Sequence, residues 1–287
     1  MAETIHPGTR IGAVRLKIND MERSLKFYQE VLGLRLRKRE DNIAELTAGG
    51  EQTLLILEAD EAFRRLPERT VSGLYHFAIL VPDRPALGLA LRNLVRHRVP
   101  VGQGDHLVSE ALYLSDPDGN GIEIYADRPR DTWQKNERGE IVMTTEPVDI
   151  EGLLAASEGL EWTGLPAGTR IGHVHFHVGD LDTARHFYCD VLGFDLVARY
   201  GGAALFISAG GYHHHIGLNL WAGAGAPAAP EDAVGLRYFT ITVPDEAALT
   251  EVERRIAAEG ASYEHNAGGL ALRDPFGIGI RVIVGAE

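Results

Sequence analysis

The chain has one cysteine, Cys189, among 287 residues. That excludes an internal disulfide and a cysteine-based zinc site, and it fits a reducing compartment; Cys189 itself reads as a small buried helix residue. Bases are outnumbered by acids, which leaves a formal net charge of -13. Neutralising phosphates requires a basic face, so the balance argues against a nucleic-acid partner. Long apolar runs are missing: nothing approaches the ~18 residues of a membrane span, and "MAETIHPGTR" contains no apolar targeting core. No membrane association is expected, and the expected location is the cytoplasm. What the chain has in excess is histidine, 12 residues, three of them consecutive in "GGYHHHIGLNLW".

The sequence repeats itself. "IGAVRLKINDMERSLKFYQEVLGLRL" from Ile11 returns as "IGHVHFHVGDLDTARHFYCDVLGFDL" from Ile171, "LYHFAILVPD" from Leu74 as "LRYFTITVPD" from Leu236, and "DPDGNGIEI" from Asp116 as "DPFGIGIRV" from Asp274. Each half therefore holds two related units, and all four open with a strand, an Asp and a helical stretch. Asp20, Asp83, Asp180 and Asp245 suit helix N-caps. Met21, Leu25, Tyr28 and Leu32 form one apolar stripe, with Leu181, Ala184, Tyr188 and Leu192 as its counterpart. Gly33 and Gly193 suit C-caps, and short alternating strands follow. Each unit thus reads β-α-β-β-β, and 45% hydrophobic content supports real cores. The expected class is α+β: four tandem βαβββ modules in two domains with curved mixed sheets. The boundaries are 1–127 (modules about 9–60 and 73–127) and 167–287 (modules about 170–222 and 235–285). The stretch 128–166 joins the halves, carries a short helix in "VDIEGLLAAS" and is expected to pack across them.

Aligned on the capping Asp, the first strands carry Ala13, His76, His173 and Tyr238 at one position. In the last strands, Glu123 of unit two matches Arg281 of unit four. Only units two and three offer ligand-type residues. Two imidazoles and one carboxylate make the triad that holds iron(II) while leaving adjacent positions open. Manganese(II) suits the same donors. In the strand-like run "GGYHHHIGLNLW", alternation points His214 away from His213 and His215, so the triplet is not a three-toothed ligand.

"GDHLVSEALYLSDPDGNGIE" carries Gly104-x-His106, Leu112-Tyr113, Asp116-Pro117-x-Gly119 and Glu123, and it resembles the signature of extradiol ring-cleaving dioxygenases. The four units resemble the vicinal oxygen chelate superfamily over nearly the whole chain, nearest to two-domain catechol 2,3-dioxygenases. The resemblance implies non-haem Fe(II) on His76, His173 and Glu123, with His106 and Tyr113 positioning and deprotonating the substrate. His214, aligned on Ile216-Gly217-Leu218, would lie beside the oxygen site and donate to charge developing there. The implied reaction is meta cleavage of a catechol by O2 to a 2-hydroxymuconic semialdehyde. Its partners are a small aromatic diol and O2.

In that family the partner module precedes the signature-bearing one, yet unit one offers Ala13 and "QTLLILE". Unit three supplies His173 and "HHHIGL" instead. The site is therefore expected between units two and three, with one and four as a structural half; a ligand from a neighbouring subunit is the rival arrangement. His175 and Tyr238 are further pocket candidates, and His175 and His177 share the face of His173. A metal-dependent glyoxalase-like isomerase or epimerase, or a metal-free module binding a small aromatic, stays open as an alternative. A homo-oligomer through exposed sheet edges is allowed.

Overall fold

The structure, a computed structural model, describes residues 4–266 and 268–285. Unit one consists of β1 (Arg10–Ile18), α1 (Met21–Lys26), β2 (Arg35–Glu40), β3 (Ile43–Thr47) and β4 (Leu55–Ala59). Unit two has β5 (Gly73–Leu80), α2 (Arg84–Arg96), β6 (Gly102–Asp105), β7 (Ser109–Ser115) and β8 (Gly121–Asp127). The connector carries α3 (Ile150–Ala156). Unit three follows as β9 (Arg170–His177), α4 (Leu181–Arg185), β10 (Asp195–Tyr200), β11 (Ala204–Ser208) and β12 (Ile216–Asn219). Unit four is β13 (Gly235–Val243), α5 (Glu246–Ala258), β14 (Tyr263–Asn266), β15 (Gly269–Arg273) and β16 (Gly279–Val284). The four Asp side chains cap their helices, accepting from the N–H of Arg23, Ala86, Thr183 and Ala248. Their extended backbone lets a short carboxylate reach a donor that the helix leaves free. Helices α1 and α4 run on into π-helical turns, Phe27–Val31 and His186–Val191, before Gly33 and Gly193 end them at positive φ. No helix among the described residues is long and apolar enough to cross a membrane.

The strands form two curled, mixed, eight-stranded sheets, and the sheets do not follow the halves of the chain. One runs β14-β15-β16-β13-β1-β4-β3-β2 and the other β10-β11-β12-β9-β5-β8-β7-β6. Unit one is joined to unit four through the antiparallel pair β1/β13, and unit two to unit three through β5/β9. Within each unit the first and last strands pair in parallel, as β5 does with β8.

Strand alternation assigns each central strand two jobs. On β5, Phe77 and Ile79 enter the main core, and on β9 so do Val174 and Phe176. The intervening His76, Ala78 and Leu80, with His173, His175 and His177, occupy the other face. There Ala78, Leu80, Ala111 and Tyr125 form a smaller, separate apolar cluster. The main core takes residues from both sheets, and Phe176 meets Phe239 across them at 5.1 Å between ring centroids. Two buried latches also tie the sheets together: Tyr28 of unit one donates to Asp116 of unit two at 2.8 Å, and Tyr188 of unit three donates to Asp274 of unit four at 3.0 Å. Each is a hydrogen bond to a carboxylate, worth about 1.5–3 kcal/mol.

Candidate metal centre

Three strands deliver three ligand-type side chains to one point. Ala78 on β5 lies opposite Glu123 of β8 on one side and His173 of β9 on the other. Its methyl group leaves the space between them free, and His76, two residues earlier on the same face, fills it. His76 Nε2 and His173 Nε2 each lie 3.1 Å from Glu123 Oε2 and 3.4 Å from one another. All three residues are at most 5% exposed, and their ligand atoms fall within 4.8 Å of each other. Burial pushes His173 down to about 4, against the pull of Glu123. Burial pushes the Glu123 carboxyl up, but the facing His173 and His76 rings outweigh it and hold it well below the ordinary carboxylate range. The donor set is then nitrogen lone pairs beside an ionised carboxylate, which fits a divalent first-row cation. With three protein donors, positions stay open for other ligands.

A cavity of about 260 Å³ opens over His76 and Glu123. His106 and Tyr113 stand on one side, joined by a 2.6 Å bond between His106 Nε2 and Tyr113 Oη. His106 Nδ1 is 2.6 Å from the Thr144 carbonyl, which can only accept. Nδ1 therefore carries the proton, and the Tyr113 hydroxyl donates to Nε2. Burial, reinforced by the Glu123 charge, keeps that phenol well above its ordinary value. His214 and His175 form the opposite side, with Phe206 and Trp221. The connector closes the rim: Met143, Thr144 and Thr145 line the cavity.

The histidine triplet is arranged differently from the expected strand. β12 begins only at Ile216; Gly210 and Gly211, at φ 57° and 68°, turn the chain just before the histidines. Freed from strand alternation, the His213 and His214 rings touch, Nδ1 to Nδ1 at 2.9 Å. None of the three faces solvent: His213 is 0% exposed and its neighbours 8% each. His214 lies against His173, with ring centroids 4.0 Å apart, and burial holds it well below the ordinary imidazole value. His215 accepts from the Ala209 N–H.

His175 lines the cavity, its ring 5.0 Å from that of His76 and its Nε2 buried without a protein partner. Gly217 makes room for it, since a Cβ there would collide with the His175 ring. His177 instead bonds Asn219 and faces a separate groove. Tyr238 is a correction: β13 places it in the other sheet, under the Arg281 guanidinium at 4.0 Å, so it does not line the cavity. Sequence reasoning missed Tyr75, Asp127, Trp133, Met143, Thr144 and Thr145. Trp133, an aromatic in an otherwise charged stretch, was the available signal for a connector that folds over the site.

The glyoxalase/bleomycin resistance protein/dioxygenase superfamily pattern matches residues 10–124 and 170–282. Catechol-2,3-dioxygenase of Bacillus subtilis (strain 168) is 55% identical over 273 residues, 95% of this chain and 96% of that protein. The iron-dependent extradiol dioxygenase of Rhodococcus jostii (strain RHA1) is 30% identical over 125 residues, 40% of this chain and 42% of that one. Among solved structures, glyoxalase I from Zea mays superposes with a TM-score of 0.58 at 16% identity, covering 96% of this chain and 92% of that one, a likeness of fold alone. Both matched segments, each spanning two of the four repeated units, place this chain in the glyoxalase/bleomycin resistance protein/dioxygenase superfamily.

Proposed function

We propose that this protein is an extradiol dioxygenase, an oxidoreductase that opens a catechol ring beside its diol with O2 and yields a 2-hydroxymuconic semialdehyde. The observation that carries the reading is the convergence of His76, His173 and Glu123 on one buried point, with His76 and Glu123 lining a cavity. The high identity to a protein named catechol-2,3-dioxygenase, over nearly the full length of both chains, supports it. His76, His173 and Glu123 would hold iron(II), which supplies Lewis acidity toward the diol and one-electron chemistry toward O2.

The chain's own residues do the rest. Phe206 and Trp221 offer apolar faces to an aromatic ring and exclude water. At about 30 Å³ per water the cavity holds roughly nine waters, so a single ring with its diol fits. Tyr113 and His106 stand within hydrogen-bond reach of one another and form the side that would orient a substrate hydroxyl and take its proton. His214 faces the same space from the other side. Three protein donors, where an isomerase of this superfamily would complete its site with four, favour the open-site chemistry.

The test is oxygen uptake by protein loaded anaerobically with iron, with metal content measured on the same sample. Catechol should consume one O2 per ring opened. Full iron occupancy with no uptake across a range of catechols would overturn the reading.

A further inference from the structure

A chain of hydrogen bonds runs from the edge of the fold to the cavity wall, and its donors and acceptors can be assigned one after another. Asp127 ends β8 with its side chain 24% exposed, and it accepts the Tyr212 hydroxyl at 3.0 Å. A carboxylate has no proton to give. His213 Nε2, 2.9 Å from Asp127 Oδ1, must therefore be the donor. In a neutral imidazole one nitrogen donates and the other accepts, which leaves His213 Nδ1 bare. That atom lies 2.9 Å from His214 Nδ1, so His214 carries its proton on Nδ1. Its Nε2 is then a lone pair, and no protein group among the described residues pairs with it. Because the His214 side chain lines the cavity, that lone pair is free for a ligand there.

The His213 ring cannot easily turn to undo this. It is fully buried, with Tyr212 stacked at 4.1 Å and Trp133 of the connector at 5.2 Å between centroids. Trp133 is itself fixed by donating to the Arg128 carbonyl. The opposite assignment, a neutral His214 with its proton on Nε2 and Nδ1 bare, would require both nitrogens of the enclosed His213 to be protonated.

We propose that Asp127, acting through His213, holds His214 in the Nδ1–H tautomer and so presents a bare Nε2 to the cavity. His214 then meets the substrate as a hydrogen-bond acceptor for a hydroxyl, and not as the donor expected from the sequence. Asp127 and His213 are positioning residues. The role for His214 rests on the dioxygenase reading of the cavity; the tautomer does not.

Two-dimensional correlation of ring nitrogens and protons in the ¹⁵N-histidine-labelled full chain reads the tautomer directly. It is recorded with and without Zn(II), a closed-shell ion. In the wild type His214 should show a protonated Nδ1 and a bare Nε2. Asp127→Asn supplies an amide that can donate to His213, so an Nε2–H population of His214 should appear. With iron content unchanged, that variant should lose ~10–100-fold in kcat with little change in KM. Tyr212→Phe removes the other bond to Asp127 and should leave the His214 tautomer as it was. A wild-type His214 protonated on Nε2 overturns the proposal, even if Asp127→Asn fails to fold. An unchanged tautomer in folded Asp127→Asn, or an equal change in Tyr212→Phe, overturns it too. An intact tautomer with no oxygen uptake would instead count against the dioxygenase reading alone.

Discussion

Replacing Asp274 with Asn should stabilise the protein above neutral pH and lose that advantage in acid. Asp274 lies in the tight turn between β15 and β16, 5% exposed. Its carboxylate accepts the N–H groups of Phe276 and Ile278 and the hydroxyl of Tyr188. Burial nevertheless raises it from 3.8 to about 6, because these bonds only partly replace the water that a charge loses. A carboxyl whose folded value is raised contributes stability that is complete below its unfolded value, near 3.8, and lost as pH rises through about 6. At 1.36 kcal/mol per pH unit, the cost of the buried charge at pH 8 is about 3 kcal/mol. Asn keeps an acceptor for the two backbone groups and can donate its amide to the Tyr188 oxygen, so the charge is the main thing removed. Urea unfolding of wild type and Asp274→Asn should show a stability difference that grows by about 2.5 kcal/mol between pH 4 and pH 8 in favour of the variant. A difference that stays flat over that range would refute the argument that the turn pays for a buried charge.

Glu123→Gln and His173→Ala should each lose bound metal, measured by elemental analysis of purified protein, because each removes one of the three donors grouped among the described residues. His214→Ala should retain the metal and turn over ~10–100-fold more slowly; loss of metal in that variant would give His214 a ligand's role. Phe176→Ala should cost about 3–5 kcal/mol in urea unfolding, since the ring is fully buried and packs across both sheets. Gly172→Ala would drive a methyl group into the Tyr125 hydroxyl. The expected cost is about 1–3 kcal/mol, with the Tyr125–Tyr212 contact as the element that shifts in a crystal structure.

Much of the architecture was legible because it repeats. Four Asp caps at matching places, two C-cap glycines at positive φ and two buried Tyr stripes are local signals, and each repeat confirms the others. The association of unit two with unit three could be read only because Ala13 and Tyr238 cannot serve as ligands where His76 and His173 can. What escaped was non-local or irregular. The triplet at His213 was read through strand alternation, which holds only while the backbone stays extended, and Gly210 with Gly211 ends that extension. Tyr238 occupies a position equivalent to His76, but equivalence of position within a unit says nothing about which sheet the unit joins. Asp127 and Trp133 act through partners some 80 residues away, Tyr212 and His213, and no spacing rule reaches that far.

The sheet order nests one pair of units inside the other, and that sets an order of events during synthesis. Units two and three can complete their shared sheet once β12 has emerged, whereas β1 must wait for β13, more than 200 residues later. Unit one is thus made first and paired last, with the edge of a central strand open throughout. Such long-range pairing slows folding and exposes edges to other chains. The half containing the three metal donors matures first, while the half that lacks them stays vulnerable longest; a chain stopped after unit three would carry a complete set of donors on an unfinished fold.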